Sequence, residues 1–322
     1  MKSYSIFLVA RFIIALLRYL PRSVAAPMLD ALVAMVYRCD GFHRHIARVN
    51  VKIAFPELPS HECDRIARRS FQCVGRNLLE ISRLPLLTKD NVSSLVEYDS
   101  DAGFNNYEEA RSRGKGILYL TGHFSAWELL PAAHALYGHP LDFVTRPLDN
   151  VFLERYLFRL RQSTGNRVIY KKDSARRILL SLKSGGSVGI LMDQNTGTFD
   201  GIFSEFFGIP ATTITSAALF ALRTDATVLP GYLTPMKDNR YRIKFLPPHD
   251  LIRTGDMEQD IRLNVKAFNE ILEKIIREQP ESWLWGHKRW KYQPPENPQN
   301  LYSLSADELD AFLAARQKRN MK

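Results

Sequence analysis

Hydrophobic positions along the chain fall into three regimes. Residues 4–20 are almost continuously apolar, broken by Arg11 and Arg18 and ended by Pro21, and a second apolar stretch runs from Ala25 to Tyr37. Residues 44–85 carry a helical, amphipathic period. Ser60 is placed as an N-cap there, and Arg65, Arg68, Arg69 and Arg76 give that region a basic face. From Gly114 onward, short apolar runs alternate with helical segments. The pattern predicts strands at Ile117–Leu120, Leu141–Thr145, Arg167–Tyr170, Val188–Met192, Val228–Leu233 and Tyr241–Leu246, and helices near 125–136, 150–163, 173–183, 213–224 and 256–278. Such alternation predicts an α/β fold, a mainly parallel central sheet flanked by helices. The turn residues Lys237-Asp238-Asn239-Arg240 predict that the last two strands pair as an antiparallel hairpin at one edge. Ser305 with Glu308 makes a capping box for one more helix, Ser305 to Arg319. The expected organisation is N-terminal membrane-associating helices over 1–40, one α/β domain over 41–300, and a helical tail over 301–322.

The two N-terminal helices are expected to lie in or dip into a membrane interface, with Arg and Tyr at headgroup level. The runs between the arginines fall short of the ~20 apolar residues that span a bilayer comfortably, and no convincing small-residue cleavage site follows them. Packing on the protein's own surface, or a single spanning helix, stays open.

The 322 residues carry a net charge of +10. A basic balance of this size suits an anionic partner: nucleic acid, an anionic membrane surface or an acidic carrier. Zinc-ligand spacings, RNP-type aromatic boxes and basic heptads are absent from the sequence, which disfavours nucleic acid. The three cysteines, Cys39, Cys63 and Cys73, form no disulfide framework and fit a reducing compartment. The histidines show no metal-ligand pattern, and no cofactor is implied.

Chemistry concentrates in Gly116–Glu128, where a buried strand gives way through Thr121-Gly122 to His123 and then a helix. The carboxyl edge of an open α/β sheet is where ligands bind. Glu128 stands five residues after His123. That spacing shares no face of a continuous helix, so the two meet only if His123 lies in the preceding turn and Glu128 in the first helical turns. Glu128 would then orient the imidazole, and His123 would take a proton from a hydroxyl. Phe124 and Trp127 make the surroundings apolar.

Other strand ends add polar groups. Arg146 ends the second strand, as either an anion site or an edge salt bridge, and Asn150 starts the next helix. Arg155, Arg159 and Arg161 follow, and Lys171 and Lys172 end the third strand. Asp193, beside Gln194, ends the fourth. Phe206 and Phe207 are read as loop residues flooring a hydrophobic pocket, and Thr212 or Thr213 as the cap of the next helix, whose N-terminus would offer N–H groups to an anion. Base, cations and carboxylate are thus expected to face one crevice.

Gly-His-Phe-Ser-Ala-Trp-Glu-Leu resembles the H-x4-D/E motif of glycerolipid acyltransferases, in the H-x4-E form of the bacterial lipid A late acyltransferases. Asn50-Val-Lys-Ile-Ala-Phe-Pro-Glu, Arg69-Ser-Phe, Gly75-Arg-Asn-Leu-Leu-Glu, Thr145-Arg-Pro-Leu-Asp-Asn, Phe206-Phe-Gly-Ile-Pro and Pro280-Glu-Ser-Trp-Leu-Trp-Gly-His-Lys-Arg-Trp are similar to that family too. Met192-Asp-Gln is similar to its P-D-Q/H segment, with Met192 replacing the proline.

The resemblance implies O-acyl transfer from an acyl carrier protein thioester to a hydroxyl of a lipid A precursor, at the cytoplasmic face of the inner membrane. His123 would be the general base, Glu128 its partner, and Arg146, Arg161 and Asp193 residues tied to activity or lipid binding. Another glycolipid or aminolipid acceptor, a lipid hydrolase, and a catalytically silent lipid-binding membrane protein are the alternatives. A thioester is already activated and needs no enzyme nucleophile. Arg161 or a backbone N–H is the candidate donor to the oxyanion.

Overall fold

The computed structural model describes residues 2–101, 103–170, 174–296 and 298–320. In chain order the elements are α1 (Lys2–Tyr19), α2 (Arg22–Cys39), α3 (Gly41–Ala54), α4 (Ser60–Arg83), β1 (Val96–Tyr98), α5 (Gly103–Ser112), β2 (Ile117–Thr121), α6 (Leu129–Leu136), β3 (Asp142–Thr145), α7 (Val151–Gln162), β4 (Arg167–Tyr170), α8 (Ser174–Lys183), β5 (Ser187–Leu191), β6 (Gly201–Phe206), β7 (Ile209–Ile214), α9 (Ser216–Thr224), β8 (Thr227–Pro235), β9 (Tyr241–Phe245), α10 (Met257–Glu278) and α11 (Ala306–Asn320). The chain forms two compact units. The first comprises Met1–Leu32, Val74–Leu191 and Leu219–Leu251, and the second Val33–Cys73, Met192–Ala218 and Ile252–Lys322.

The first unit holds a seven-stranded sheet in the order β1-β9-β8-β2-β5-β3-β4. All neighbours are parallel except β8 and β9. The α/β expectation with a mostly parallel sheet therefore holds. β2 lies inside the sheet, paired on one side with β5 and on the other with β8. Leu118 and Leu120 are fully buried, which explains an unbroken apolar run where a half-exposed strand would alternate. Gly116 precedes it for a steric reason: a Cβ there would lie 2.2 Å from the Leu182 carbonyl oxygen at the end of α8.

The predicted β8–β9 hairpin is present, but not at an edge, because β1 pairs in parallel with β9 and takes the outer position. Three residues are too few for β1 to show a period. The helix expected from 125 begins only at Leu129, since Ser125 adopts a left-handed φ of 51°, a conformation that no helix of L-residues continues through.

α1 is tied to the unit by arginines. Arg83 donates to the carbonyls of Leu17 and Leu20, satisfying acceptors that a helix end leaves open. Arg18 donates to the Ser82 carbonyl and to the Tyr156 hydroxyl. Ile14 and Leu17 are buried, while Val9, Phe12 and Tyr19 stay exposed. No helix of the described residues is long and apolar enough to cross a membrane.

A buried polar network sits in the same core. His134 lies between the hydroxyls of Tyr98 and Tyr119, at 2.7 and 2.8 Å from its two ring nitrogens. Burial, helped by His139, pushes its pKa down to about 3.

The second unit is built on aromatic packing. Residues 201–214, expected as loop and helix start, form the antiparallel hairpin β6–β7. Phe207 and Gly208 are its two turn residues, both at positive φ, as a two-residue hairpin turn requires. Thr212 and Thr213 are accordingly fully buried strand residues rather than helix caps. The correction has a simple cause: Phe-Gly is a rarer turn signal than Asn-Gly, and Pro210 argues against a strand unless it lies at an edge, as in this two-stranded sheet. Phe206 packs against Trp283 and Trp290, each at 5.8 Å, and Trp283 against Trp285 at 4.6 Å. Asn50 ties α3 to this cluster, donating to the Trp285 and His287 carbonyls and accepting from the Tyr302 hydroxyl. The Ser305–Glu308 capping box forms as expected.

Candidate active site

The geometry divides along the two units. In the first, β2 ends at Thr121 and His123 follows in the turn, half-buried. Its ring meets the Trp127 indole edge-on at 5.2 Å. Phe124, beneath the turn, is buried against Tyr232. Glu128 then stands at the N-cap position of α6, where the positive end of a helix dipole favours a carboxylate. Its side chain makes no capping bond. Arg161 holds it instead: Nη2 donates to Oε1 at 2.6 Å and Nε to Oε2 at 3.1 Å. Both side chains are only 12% exposed, and the bonds form a two-pronged guanidinium–carboxylate pair. Burial alone would lower the Arg161 pKa, but the bonds and charge of Glu128 outweigh it and raise the value, so the guanidinium stays charged.

Neighbours fix this pair in place. The remaining Arg161 terminal nitrogen reaches Thr145 Oγ1 at 3.3 Å, and the guanidinium lies over the Phe143 ring at 6.0 Å. Asn77, buried on α4, accepts the Glu128 backbone N–H at 3.0 Å. Arg161 comes from the last turn of α7, whose start is capped by Asn150: its Oδ1 accepts from the N–H groups of Phe152 and Leu153. Asn150 also donates to the Ser3 carbonyl. Arg146, just past β3, is 82% exposed and pairs loosely with Asp149 at 3.8 Å. Lys171 and Lys172 lie outside the described residues.

In the second unit, Asp193 is almost fully buried and accepts a hydrogen bond from Trp283 Nε1 at 2.7 Å. Gln194 beside it is half-buried. Arg289 is completely buried, donating to the Thr212 carbonyl, Thr213 Oγ1 and Asn269 Oδ1, with its guanidinium 4.6 Å from the Phe206 ring centre. Burial pushes its pKa down to about 10, with the Asp193 charge acting against that. Phe206 and Phe207 are buried in the same cluster. Among the described residues, no three His, Cys, Asp or Glu side chains group as a metal ion needs.

Sequence reasoning assigned no part to Asn77, Thr145, Trp283 or Arg289. All four fall within segments that resemble the acyltransferases, yet nothing in their local pattern says which groups they contact.

The family described as bacterial lipid A biosynthesis acyltransferase matches residues 1–292. The chain belongs to that family. It is 26% identical over 251 residues to the lipid A biosynthesis palmitoleoyltransferase of Escherichia coli K12, covering 77% of this chain and 79% of that protein. It is 25% identical over 260 residues to a lipid A biosynthesis acyltransferase of Haemophilus influenzae, with 80% of each chain covered. With the E. coli lipid A biosynthesis lauroyltransferase it shares 24% identity over 255 residues, 79% of this chain and 80% of that one.

Proposed function

We propose that this protein transfers a fatty acyl group from an acyl carrier protein thioester to a hydroxyl of a lipid A precursor, working at the cytoplasmic surface of the inner membrane. The observation that carries the reading is the carboxylate of Glu128, locked by Arg161 at the head of α6, five residues after a histidine at the carboxyl edge of the sheet. In this mechanism His123 takes the proton of the acceptor hydroxyl as its oxygen attacks the thioester carbonyl. The tetrahedral intermediate collapses, the C–S bond breaks, and the proton passes from His123 to the leaving thiolate. Glu128 keeps the imidazole in the tautomer that presents its free nitrogen to the hydroxyl, as the carboxylate does in a serine hydrolase triad. The sequence reading allowed Arg161 as an oxyanion donor. With Nε and Nη2 both given to Glu128, its role in this proposal is to position that carboxylate.

The basic surface supports an acidic carrier protein as donor, and the exposed apolar side of α1 supports a membrane surface as workplace. The test is mass spectrometry of lipids formed from purified protein, acyl carrier protein charged with mixed acyl chains, and a lipid extract containing the tetra-acylated lipid A precursor. One added acyl group, absent with His123→Ala, is the expected result. Acylation of a different lipid would move the acceptor. Free fatty acid alone would point to a hydrolase. Lipid bound without product in either sample would make the protein a silent binder.

A further inference from the structure

The apolar side chains that α1 leaves in solvent continue onto a second element of the same unit. Eight large apolar residues of α1 are exposed, among them Val9 at 61%, Phe12 at 69% and Tyr19 at 73%. At the start of α7, Leu148, Val151 and Phe152 are exposed by 43, 57 and 39%. The two sets are joined. Asn150 Nδ2 donates to the Ser3 carbonyl at 2.8 Å, and the Phe152 ring packs on Tyr4 at 5.1 Å and Phe7 at 5.8 Å. Single exposed apolar residues need no explanation, but a continuous set on two clamped helices does.

Charge selects the occupant. α1 contains no acidic residue, and the one acid of α7, Glu154, is buried, accepting from the Leu148 N–H and the Tyr170 hydroxyl. Asp149, just before α7, pairs with Arg146. Arg11 of α1 and Arg155 and Arg159 of α7 are exposed and make no ion pair among the described residues. An apolar strip edged with free arginines fits the interface of an anionic bilayer.

We propose that the first turn of α7, with Leu148 before it, is a second bilayer-inserting element clamped to α1, and that the bilayer is one rich in anionic headgroups. The inference deepens the membrane-surface reading above and rests on it. Its consequence is a depth for the chemistry. Phe152 and Arg161 are nine residues apart on α7, about 13.5 Å at the helical rise of about 1.5 Å per residue. Interfacial segments bury their apolar side about 5–10 Å. The backbone of Arg161 therefore stands at most about 8.5 Å beyond the boundary in which Phe152 is buried, and its guanidinium, with the Glu128 carboxylate it holds, works from that height on a headgroup still seated in its leaflet.

The test uses the full chain with phosphatidylcholine–phosphatidylglycerol vesicles whose acyl chains carry bromine. Phe12→Trp and Phe152→Trp are compared with the unsubstituted chain for bromine quenching of the added indole. Quenching of both is expected. Quenching at position 12 without quenching at 152 overturns the inference and leaves the membrane reading standing. Quenching at neither overturns both, and a concentration-dependent dimer shielding these positions would then assign the face to a second copy of the chain. Arg155→Gln with Arg159→Gln is expected to weaken partition onto the anionic vesicles roughly thirty-fold, at about five-fold per arginine, with no change on pure phosphatidylcholine. An equal loss on both vesicle types counts against the anionic bilayer.

Discussion

Removing the Arg161 guanidinium gives the sharpest test of the site. Arg161→Ala takes two N–H donors from a Glu128 side chain that is 12% exposed in the intact pair. Stripping one partner from a fully buried pair costs about 3–5 kcal/mol. The residual exposure here, and the helix dipole at Glu128, bring the figure toward about 2 kcal/mol. If all of that appears as lost preorganisation of Glu128, kcat/KM falls roughly thirty-fold, at 1.36 kcal/mol per factor of ten. The decisive quantity is the double-mutant cycle with Glu128→Gln. An arginine that acts through Glu128 adds nothing once the carboxylate is gone, so the double variant should match Glu128→Gln within about two-fold. The assay is initial-rate acyl transfer, with acyl carrier protein thioester and lipid acceptor varied in turn. Multiplying losses would refute the reasoning and return Arg161 to direct contact with substrate or oxyanion.

His123→Ala should lower kcat by about 10²–10⁴ while lipid binding persists; a rate within a few-fold of the parent would remove His123 from the chemistry. His134 makes acid stability testable. Its folded pKa of about 3 lies below its unfolded value of 6.5, so its contribution is full above pH 6.5 and is lost as the pH falls toward 3, roughly a few kcal/mol in all. Urea midpoints measured from pH 7 to pH 4 should fall for the parent and fall less for His134→Gln; parallel curves would deny His134 the effect. Trp283→Phe removes the bond to buried Asp193 and should cost about 1–3 kcal/mol, read as a lower denaturation midpoint. An unchanged midpoint would show that other groups satisfy the carboxylate. Raised salt should weaken carrier-protein binding in a titration, and a flat response would discount the basic surface.

Much of the first unit was legible because each strand carries its own signal. The run Ile117–Leu120 is apolar without alternation because β2 is paired on both sides inside the sheet, and the boundaries of β3, β4, β8 and β9 fall close to those expected. The hairpin at Phe207-Gly208 was not legible, since its positive-φ turn carries a phenylalanine where asparagine is the usual sign. β1 was missed because three residues have no period, and its place beside β9 depends on a partner more than 140 residues away.

At the candidate site, the H-x4-E spacing put His123 and Glu128 forward without any coordinates, because residue type and spacing are properties of the chain alone. The partner of the carboxylate was settled otherwise. Arg146, Arg155, Arg159 and Arg161 all lie near the end of β3 in sequence and are chemically alike. Only the pitch of α7 and the packing of its last turn against Phe143 and Thr145 turn Arg161, and not its neighbours, onto Glu128. A local pattern determines which groups are present and which element carries them. The choice among equivalent cations is made by long-range packing, which brings together residues separated by 33 positions and buries one guanidinium while leaving the others in water.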